Sequence, residues 1–410
     1  MEPLNDGRHM KTPALTEPVR KPIVLMICDY YLPGFESGGA MRTLVNMVSR
    51  LKDEFDFRVI TRDHDGPNDL TSYSSVNIGE WNAVDGANVY YLSKSQVSPT
   101  VLKRLIRQTV PDAIYLNSFF SPLTVFVLLL RRFGQIGSIP VILAPEGELS
   151  PGGLAIKAFK KTLYLRSAKL VGLLKDLIWK AASVTEEDDI HRNFGPVQPV
   201  FVAPNLPPRS SDVVSESLQD DTKKAAGAVR FVFLSRIARK KNLNWFLDLL
   251  HQVDGSISLD VYGPVEDEQY FEAGREIVAG LGDTVHVEFR GPVEHSDVGA
   301  VLRGYHFFVL PTLGENFGHV FIEALQAGLP IVTSDRTPWR GLAPAGIGWD
   351  VPLESPQDWV NAIGQCIQMN EQEYADMARR ARTFALDWLN DPELERSNRK
   401  VLSFAVQPEK

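Results

Sequence analysis

Two carboxylates, Glu315 and Glu323, stand eight positions apart in the run 307–335. On a single helix that spacing is roughly 12 Å of rise, with the two side chains turned about 80° apart. Carboxylates so placed can grip two ends of an extended ligand by accepting hydrogen bonds from its hydroxyls. The spacing equally suits a helix-start carboxylate and an ordinary Glu at the edge of an apolar stripe, beside His319 and Gln326. A second constellation, Ser235-Arg-Ile-Ala-Arg-Lys-Lys-Asn242, crowds Arg236, Arg239, Lys240 and Lys241 ahead of a helix expected to start near Asn242 or Leu243. Cations at a helix amino end oppose its dipole by ~0.3–1 kcal/mol each. Their crowding makes sense around a bound anion, although a solvated basic loop has the same composition.

The elements that must position these groups follow from apolar patterning. Segments 307–310 and 331–333 are short apolar runs without polar alternation, the mark of strands buried on both faces. Between them Phe317, Val320, Phe321, Ala324 and Leu325 share one helical stripe, which Gly328 and Pro330 stop. The loop 312–316 therefore joins a strand's carboxyl end to a helix's amino end. Backbone N–H groups around Gly314, Asn316, Phe317 and Gly318 converge there and favour an anion such as phosphate. The same plan follows strand 22–28, where Gly38 and Gly39 precede helix 40–52. They make a niche of phosphate or sugar size, or merely a turn.

Further strands are expected at 57–61, 89–92, 113–116, 141–144, 183–185 and 200–202, then at 229–234, 259–262 and 285–289. Gly263 and Gly291 end two of them, in Tyr262-Gly-Pro264 and Arg290-Gly-Pro292. A base or ribose can approach the backbone at such a glycine, or the chain simply turns there. The alternation predicts an α/β chain of two Rossmann-like doubly wound domains. The expected divisions are a flexible tail at 1–20, a first domain at 21–206, a Pro/Ser/Asp-rich linker at 207–228, a second domain at 229–390 and a last helix within 391–410.

The string Pro311-Thr-x-x-Glu-Asn-Phe-Gly…Glu323-Ala-x-x-Ala-Gly-x-Pro resembles the E-x7-E segment of retaining glycosyltransferases of the GT4 type, also called glycosyltransferase group 1, whose fold is GT-B. Weaker matches continue over most of the chain from Ile23 onward. The resemblance implies that Glu315 touches the transferred sugar and Glu323 the ribose of a nucleotide-diphosphate sugar donor. It implies that Arg236 and Lys241 clamp the diphosphate, leaving Arg239 and Lys240 without a role. The loop from Arg290 to Val293 would pack on the base, and the last helix would cross back to the first domain. Many members of the family carry a His or an Arg-Gly near the end of the strand at 141–144 to meet the sugar. This chain has Glu146-Gly147-Glu148 instead, so Glu146 would take sugar hydroxyls or orient the acceptor. The implied activity is sugar transfer with retention to a glycan or lipid-linked acceptor, in cell-surface polysaccharide or glycolipid synthesis. The rivals are an epimerase or phosphorylase of the same plan, or a non-catalytic nucleotide or glycan binder.

Composition narrows the classes. A chain of 410 residues suggests two domains, and 44% hydrophobic with 23% charged residues is ordinary for a globular protein. A net charge of −8 argues against nucleic acid as a partner. Cys28 and Cys366 give neither metal spacing nor a disulfide framework, which fits a cytoplasmic setting. Residues 1–20 lack the apolar core of a signal peptide, and no apolar run approaches the ~18 residues of a membrane span. No metal is expected: Asp63-His-Asp65 and Asp188-Asp189 show no convergent ligands, and Arg236 and Lys241 would serve in its place. Segment 154–182 carries seven cations (Lys157, Lys160, Lys161, Arg166, Lys169, Lys175 and Lys180) against one acid, Asp176. Apolar residues are interleaved, so the segment is either an anionic-membrane surface at the inner membrane face or an outer helix pair with solvated lysines.

Overall fold

The computed structural model describes residues 20–34, 38–66, 70–155, 158–197, 199–208 and 223–407. The tail expected at 1–20 lies outside the described residues except for Arg20, as do residues 209–222 of the expected linker and Lys157.

The first eight strands are β1 (Ile23–Ile27), β2 (Asp56–Arg62), β3 (Trp81–Val84), β4 (Ala87–Leu92), β5 (Ala113–Asn117), β6 (Val141–Ala144), β7 (Ile178–Ala181) and β8 (Val200–Val202). They form one sheet in the order β3-β4-β2-β1-β5-β6-β7-β8. All pairs are parallel except β3 with β4. The second sheet is β9 (Ala228–Leu234), β10 (Ser256–Tyr262), β11 (Val285–Gly291), β12 (Phe307–Leu310), β13 (Ile331–Ser334) and β14 (Gly348–Val351). Its order is β11-β10-β9-β12-β13-β14, parallel throughout. These are the two doubly wound α/β domains that the apolar runs predict. Every residue of β1, β5, β6, β12 and β13 is buried, because helices cover both sheet faces.

Strand order reverses at β1, between β2 and β5, and at β9, between β10 and β12. Loops leaving the two strands beside such a reversal run to opposite faces and leave a crevice at their carboxyl ends. The loop after β9 carries Arg236–Lys241 and the loop after β12 carries Glu315. Their neighbouring strands therefore bring together groups distant in sequence.

Three local expectations are corrected. The strand placed at 183–185 is in fact β7, Ile178–Ala181, and Ser183 caps the helix Val184–Phe194 by accepting from Glu186 N–H. A capping hydroxyl competes with extended pairing there. Strand β3 escaped notice, although Asp85-Gly86 has the positive φ angles (42° and 87°) of a tight hairpin turn. Lys180, counted among the surface cations, is 1% exposed within β7.

The final helix, Pro392–Val406, buries Leu394, Val401, Leu402 and Ala405 in the core of the first domain. Asn398 donates to Pro204 O at 2.8 Å, and Arg399 pairs with Glu54 at 2.7 Å. The last helix thus leaves the second domain and packs on the first.

Candidate active site

A cavity of about 330 Å³ opens between the domains, lined by residues of both. On the second domain its wall begins with the loop after β9. Lys241 Nζ lies 2.5 Å from Glu315 Oε1, and both side chains are 11% exposed. Leu313 N–H and Thr312 Oγ1 both donate to Lys240 O, at 2.8 and 3.1 Å, which fastens one loop to the other, and Thr312 Oγ1 also lies 3.1 Å from Glu315 Oε1. Burial pushes the Glu315 carboxyl up, but the Lys241 and Lys240 ammoniums and the Lys241 and Thr312 hydrogen bonds outweigh it and hold it below its ordinary value. Lys240 is lowered by burial, with Glu315 opposing and Lys241, Arg236 and Lys161 adding repulsion.

The four loop cations divide. Arg236, Lys240 and Lys241 line the cavity. Arg239 turns away, paired with Asp267 at 2.8 Å with its guanidinium 5.6 Å from the Tyr270 ring. Arg236 is half exposed and ion-paired with Glu266 at the rim.

Glu315 lies on the loop before the helix, not on the helix, which runs His319–Gln326 from a left-handed Gly318 (φ 76°). The helical rise and angle expected between Glu315 and Glu323 therefore do not apply. Both carboxylates, with Asn316, Phe317 and Gly318, still face one cavity because the chain turns at Gly318. No side chain among the described residues caps this helix; Phe321 N–H donates to Gly318 O at 3.0 Å, which leaves the N–H groups of His319 and Val320 for a ligand at the cavity. Burial raises Glu323 to about 7 against the pull of Arg42, and His295 Nδ1 stands 4.0 Å from its Oε1. Burial first, then neighbouring charge, pushes His319 down to about 3 and His295 to about 4, so both rings are neutral at physiological pH.

The first domain supplies Gly38, Gly39, Arg42, Glu146 and Asn205. Asn316 Nδ2 donates to Glu146 Oε2 at 3.0 Å across the cleft, and Asn205 Nδ2 donates to the same oxygen at 2.9 Å. Gly147 stands behind the wall, where a Cβ would come within 2.8 Å of Asn316 Cβ. Its N–H donates to Glu186, a buried carboxyl raised to about 7 by burial and by Glu146. Glu148 accepts from Phe119 and Phe120 N–H at 2.6 and 3.0 Å, and so shapes the loop ahead of the helix Pro122–Arg132.

Of the two strand-end glycines, Gly263 is in the wall and Gly291 is not. Gly314 also lies behind the wall, its N–H donating to Thr312 Oγ1 at 3.2 Å. Arg290 pairs with Asp260 and Glu288 at 3.1 and 2.6 Å on the edge strand, while Pro292 and Val293 just beyond it face the cavity. A Cβ on Gly263 (φ 138°) would stand 2.0 Å from Ser235 O. Gly263→Ala is therefore expected to lower unfolding stability by about 3 kcal/mol through strain and displacement of the cation loop. Chemical denaturation checks this, and a loss below about 0.5 kcal/mol contradicts it.

Sequence patterning missed Arg42, Asn205 and His295. Arg42 had a signal, a cation in the first turn of the uncapped helix Gly39–Leu51, the same anomaly that marked Arg236–Lys241. Among the described residues no three His, Cys, Asp or Glu side chains are grouped as a metal ion needs.

Two doubly wound parallel-sheet domains sharing a cleft at their strands' carboxyl ends define the GT-B class of glycosyltransferase folds. The structure superposes on the Anabaena HepE protein, solved in complex with UDP and glucose, with a TM-score of 0.67 and 19% identity over 93% of this chain and 99% of that one. Residues 228–369, about a third of the chain, match the model described as Glycosyl transferases group 1, so the similarity to that family lies in the second domain. The D-inositol 3-phosphate glycosyltransferase of Paenarthrobacter aurescens is 27% identical over 239 residues, 58% of this chain and 47% of its own. The phosphatidyl-myo-inositol mannosyltransferase of Mycobacterium leprae is 32% identical over 127 residues, 30% of this chain and 32% of its own. The matches span from 19% to 47% of the length of the curated relatives.

Proposed function

We propose that this chain is a GT4-like glycosyltransferase that moves a sugar from a nucleoside-diphosphate donor to an acceptor held on the first domain. One observation carries the proposal: Arg236, Lys240, Lys241 and a free helix amino end surround Glu315 in one interdomain cavity. Such a site binds an anion and stabilises it as it leaves. The chemical barrier is departure of the nucleoside diphosphate from an oxocarbenium-like centre. The cations and N–H groups take up the leaving charge, Glu315 accepts from sugar hydroxyls and Glu323 from the ribose. Transfer proceeds with retention, as in the family that the E-x7-E string resembles. The UDP and glucose named for the Anabaena neighbour support a nucleotide-sugar donor. The inositol-containing acceptors in the relatives' names support a polar or lipid-linked acceptor, in keeping with a role in cell-surface polysaccharide or glycolipid synthesis.

A thermal-shift screen of UDP-, GDP- and ADP-sugars tests this directly. At least one donor should raise Tm, since ligand at 100 Kd stabilises by ~2.7 kcal/mol. No shift with any of them would overturn the proposal. Turnover should persist in EDTA, because protein cations meet the diphosphate charge. Loss of activity in EDTA with rescue by Mg²⁺ or Mn²⁺ would refute that part.

No helix among the described residues is long and apolar enough to cross a membrane. Peripheral contact is proposed instead, through the helix Ala158–Leu170. Phe159, Leu163 and Leu170 share one face and are 81%, 57% and 88% exposed. Exposed Lys160, Arg166 and Lys169 flank them, whereas Lys161 turns inward to Gly153 O and the Phe120 ring. Each cation near an anionic surface contributes ~1 kcal/mol, decaying over a Debye length of about 8 Å. The protein should pellet with anionic but not neutral vesicles at low salt, and much less after Lys160, Arg166 and Lys169 are changed to Glu. Wild type left in the supernatant would make this helix a solvated surface.

A further inference from the structure

Glu146 is held in an unusual way. Its φ of 53° is left-handed, rare for a residue with a side chain, and Gly147 continues at 76°. Strain of this kind persists only where the surroundings enforce it. Here they do. Oε2 accepts from Asn205 and from Asn316 of the other domain. The side-chain oxygen Oδ1 of Asn205 accepts in turn from Lys180 Nζ at 2.7 Å, beneath the cavity floor. Oε1 is different: it is buried and has no hydrogen-bond partner among the described residues, on a side chain that lines the cavity. A buried acceptor without a donor is costly, so the arrangement is completed by a donor that arrives with the ligand.

Which part of the ligand arrives there follows from charge, given the nucleotide-sugar function proposed above. The phosphates go to Arg236, Lys240, Lys241 and the helix amino end. The group attached beyond them falls against Glu315 and Asn316, and Asn316 is the residue bonded to Glu146. That group therefore meets carboxylates from both walls. We propose that Glu146 reads the transferred sugar and confines the donor to neutral sugars, with a sugar hydroxyl donating to Oε1 and uronic acids excluded by like-charge repulsion. Lys180 does not offset this for the ligand. Its ammonium is 1% exposed and already answers Glu146 and Glu186 from behind.

Matched pairs of donors test the inference: UDP-glucose with UDP-glucuronate, and GDP-mannose with GDP-mannuronate. Release of nucleoside diphosphate is measured without acceptor, and binding by calorimetry. Wild type should prefer the neutral member by roughly 100-fold in kcat/KM. Glu146→Gln, the same shape without the charge, should narrow that ratio by about tenfold or more. Wild type accepting the uronate as well as the neutral sugar would overturn the inference, and this outcome does not depend on any variant folding. An unchanged ratio in a folded Glu146→Gln would overturn it as well. Wild type that binds none of UDP, GDP and ADP, nor any of the four donors, would instead overturn the nucleotide-sugar function itself, and this inference with it.

Discussion

Replacing Glu315 by alanine is expected to lower kcat by roughly 10²–10³-fold, the usual loss when one transition-state-stabilising group is removed. Donor affinity should stay the same or tighten. In the free protein the Glu315 carboxylate neutralises the Lys241 ammonium, both nearly out of water. Removing the carboxylate leaves Lys240, Lys241 and a helix amino end facing the diphosphate without their buried counter-charge, while Arg236 keeps its own partner, Glu266, at the rim. The loss must therefore appear in turnover, where Glu315 holds the sugar, and not in ground-state binding. Glu323→Ala should behave in the opposite way and weaken nucleotide binding, since Glu323 is placed at the ribose. Steady-state kcat and donor Kd for the two variants decide the matter. Weak binding with normal turnover in Glu315→Ala would reverse the two roles.

Lys241→Ala should weaken donor binding by ~1.5–3 kcal/mol, a charge-assisted contact, or roughly ten- to a hundred-fold in Kd. It should also destabilise the free protein, because Glu315 would remain buried with its closest cation gone. Breaking a buried pair from one side costs about 3–5 kcal/mol, and less here because Lys240 remains nearby. The pH dependence has a defined sign. Glu315 is held below its ordinary 4.5, so its contribution to stability is fully present above that value and is lost as the pH falls through the lower folded-state value. In Lys241→Ala that acid-side loss should begin at higher pH. Glu323 runs the other way: raised to about 7, its contribution is fully present below 4.5 and is lost as the pH rises through 7. Calorimetry of donor binding and denaturation at several pH values check both parts. Unchanged Kd in both Arg236→Ala and Lys241→Ala would remove the diphosphate from this loop.

The sequence by itself determined the layers of the fold and the chemistry of the cleft. Strands buried on both faces of a parallel sheet must be short apolar runs, so β1, β6, β12 and β13 are legible without any partner. Loops that bind at strand ends must be rich in glycine and charge, so Arg236–Lys241 and 312–318 stand out locally. Tertiary structure alone decided which of those charges meet. Lys241 and Glu315 are 74 residues apart, and Asn316 and Glu146 170 apart. They touch because β9 and β12 are neighbours in one sheet and the domains close on each other, an adjacency that no local pattern records. The same reason turns Arg239 outward to Asp267, draws Arg42 in beside Glu323 and buries Lys180 under Asn205. A charge's type is written in the chain, but the surface it faces is set by whichever element packs against it.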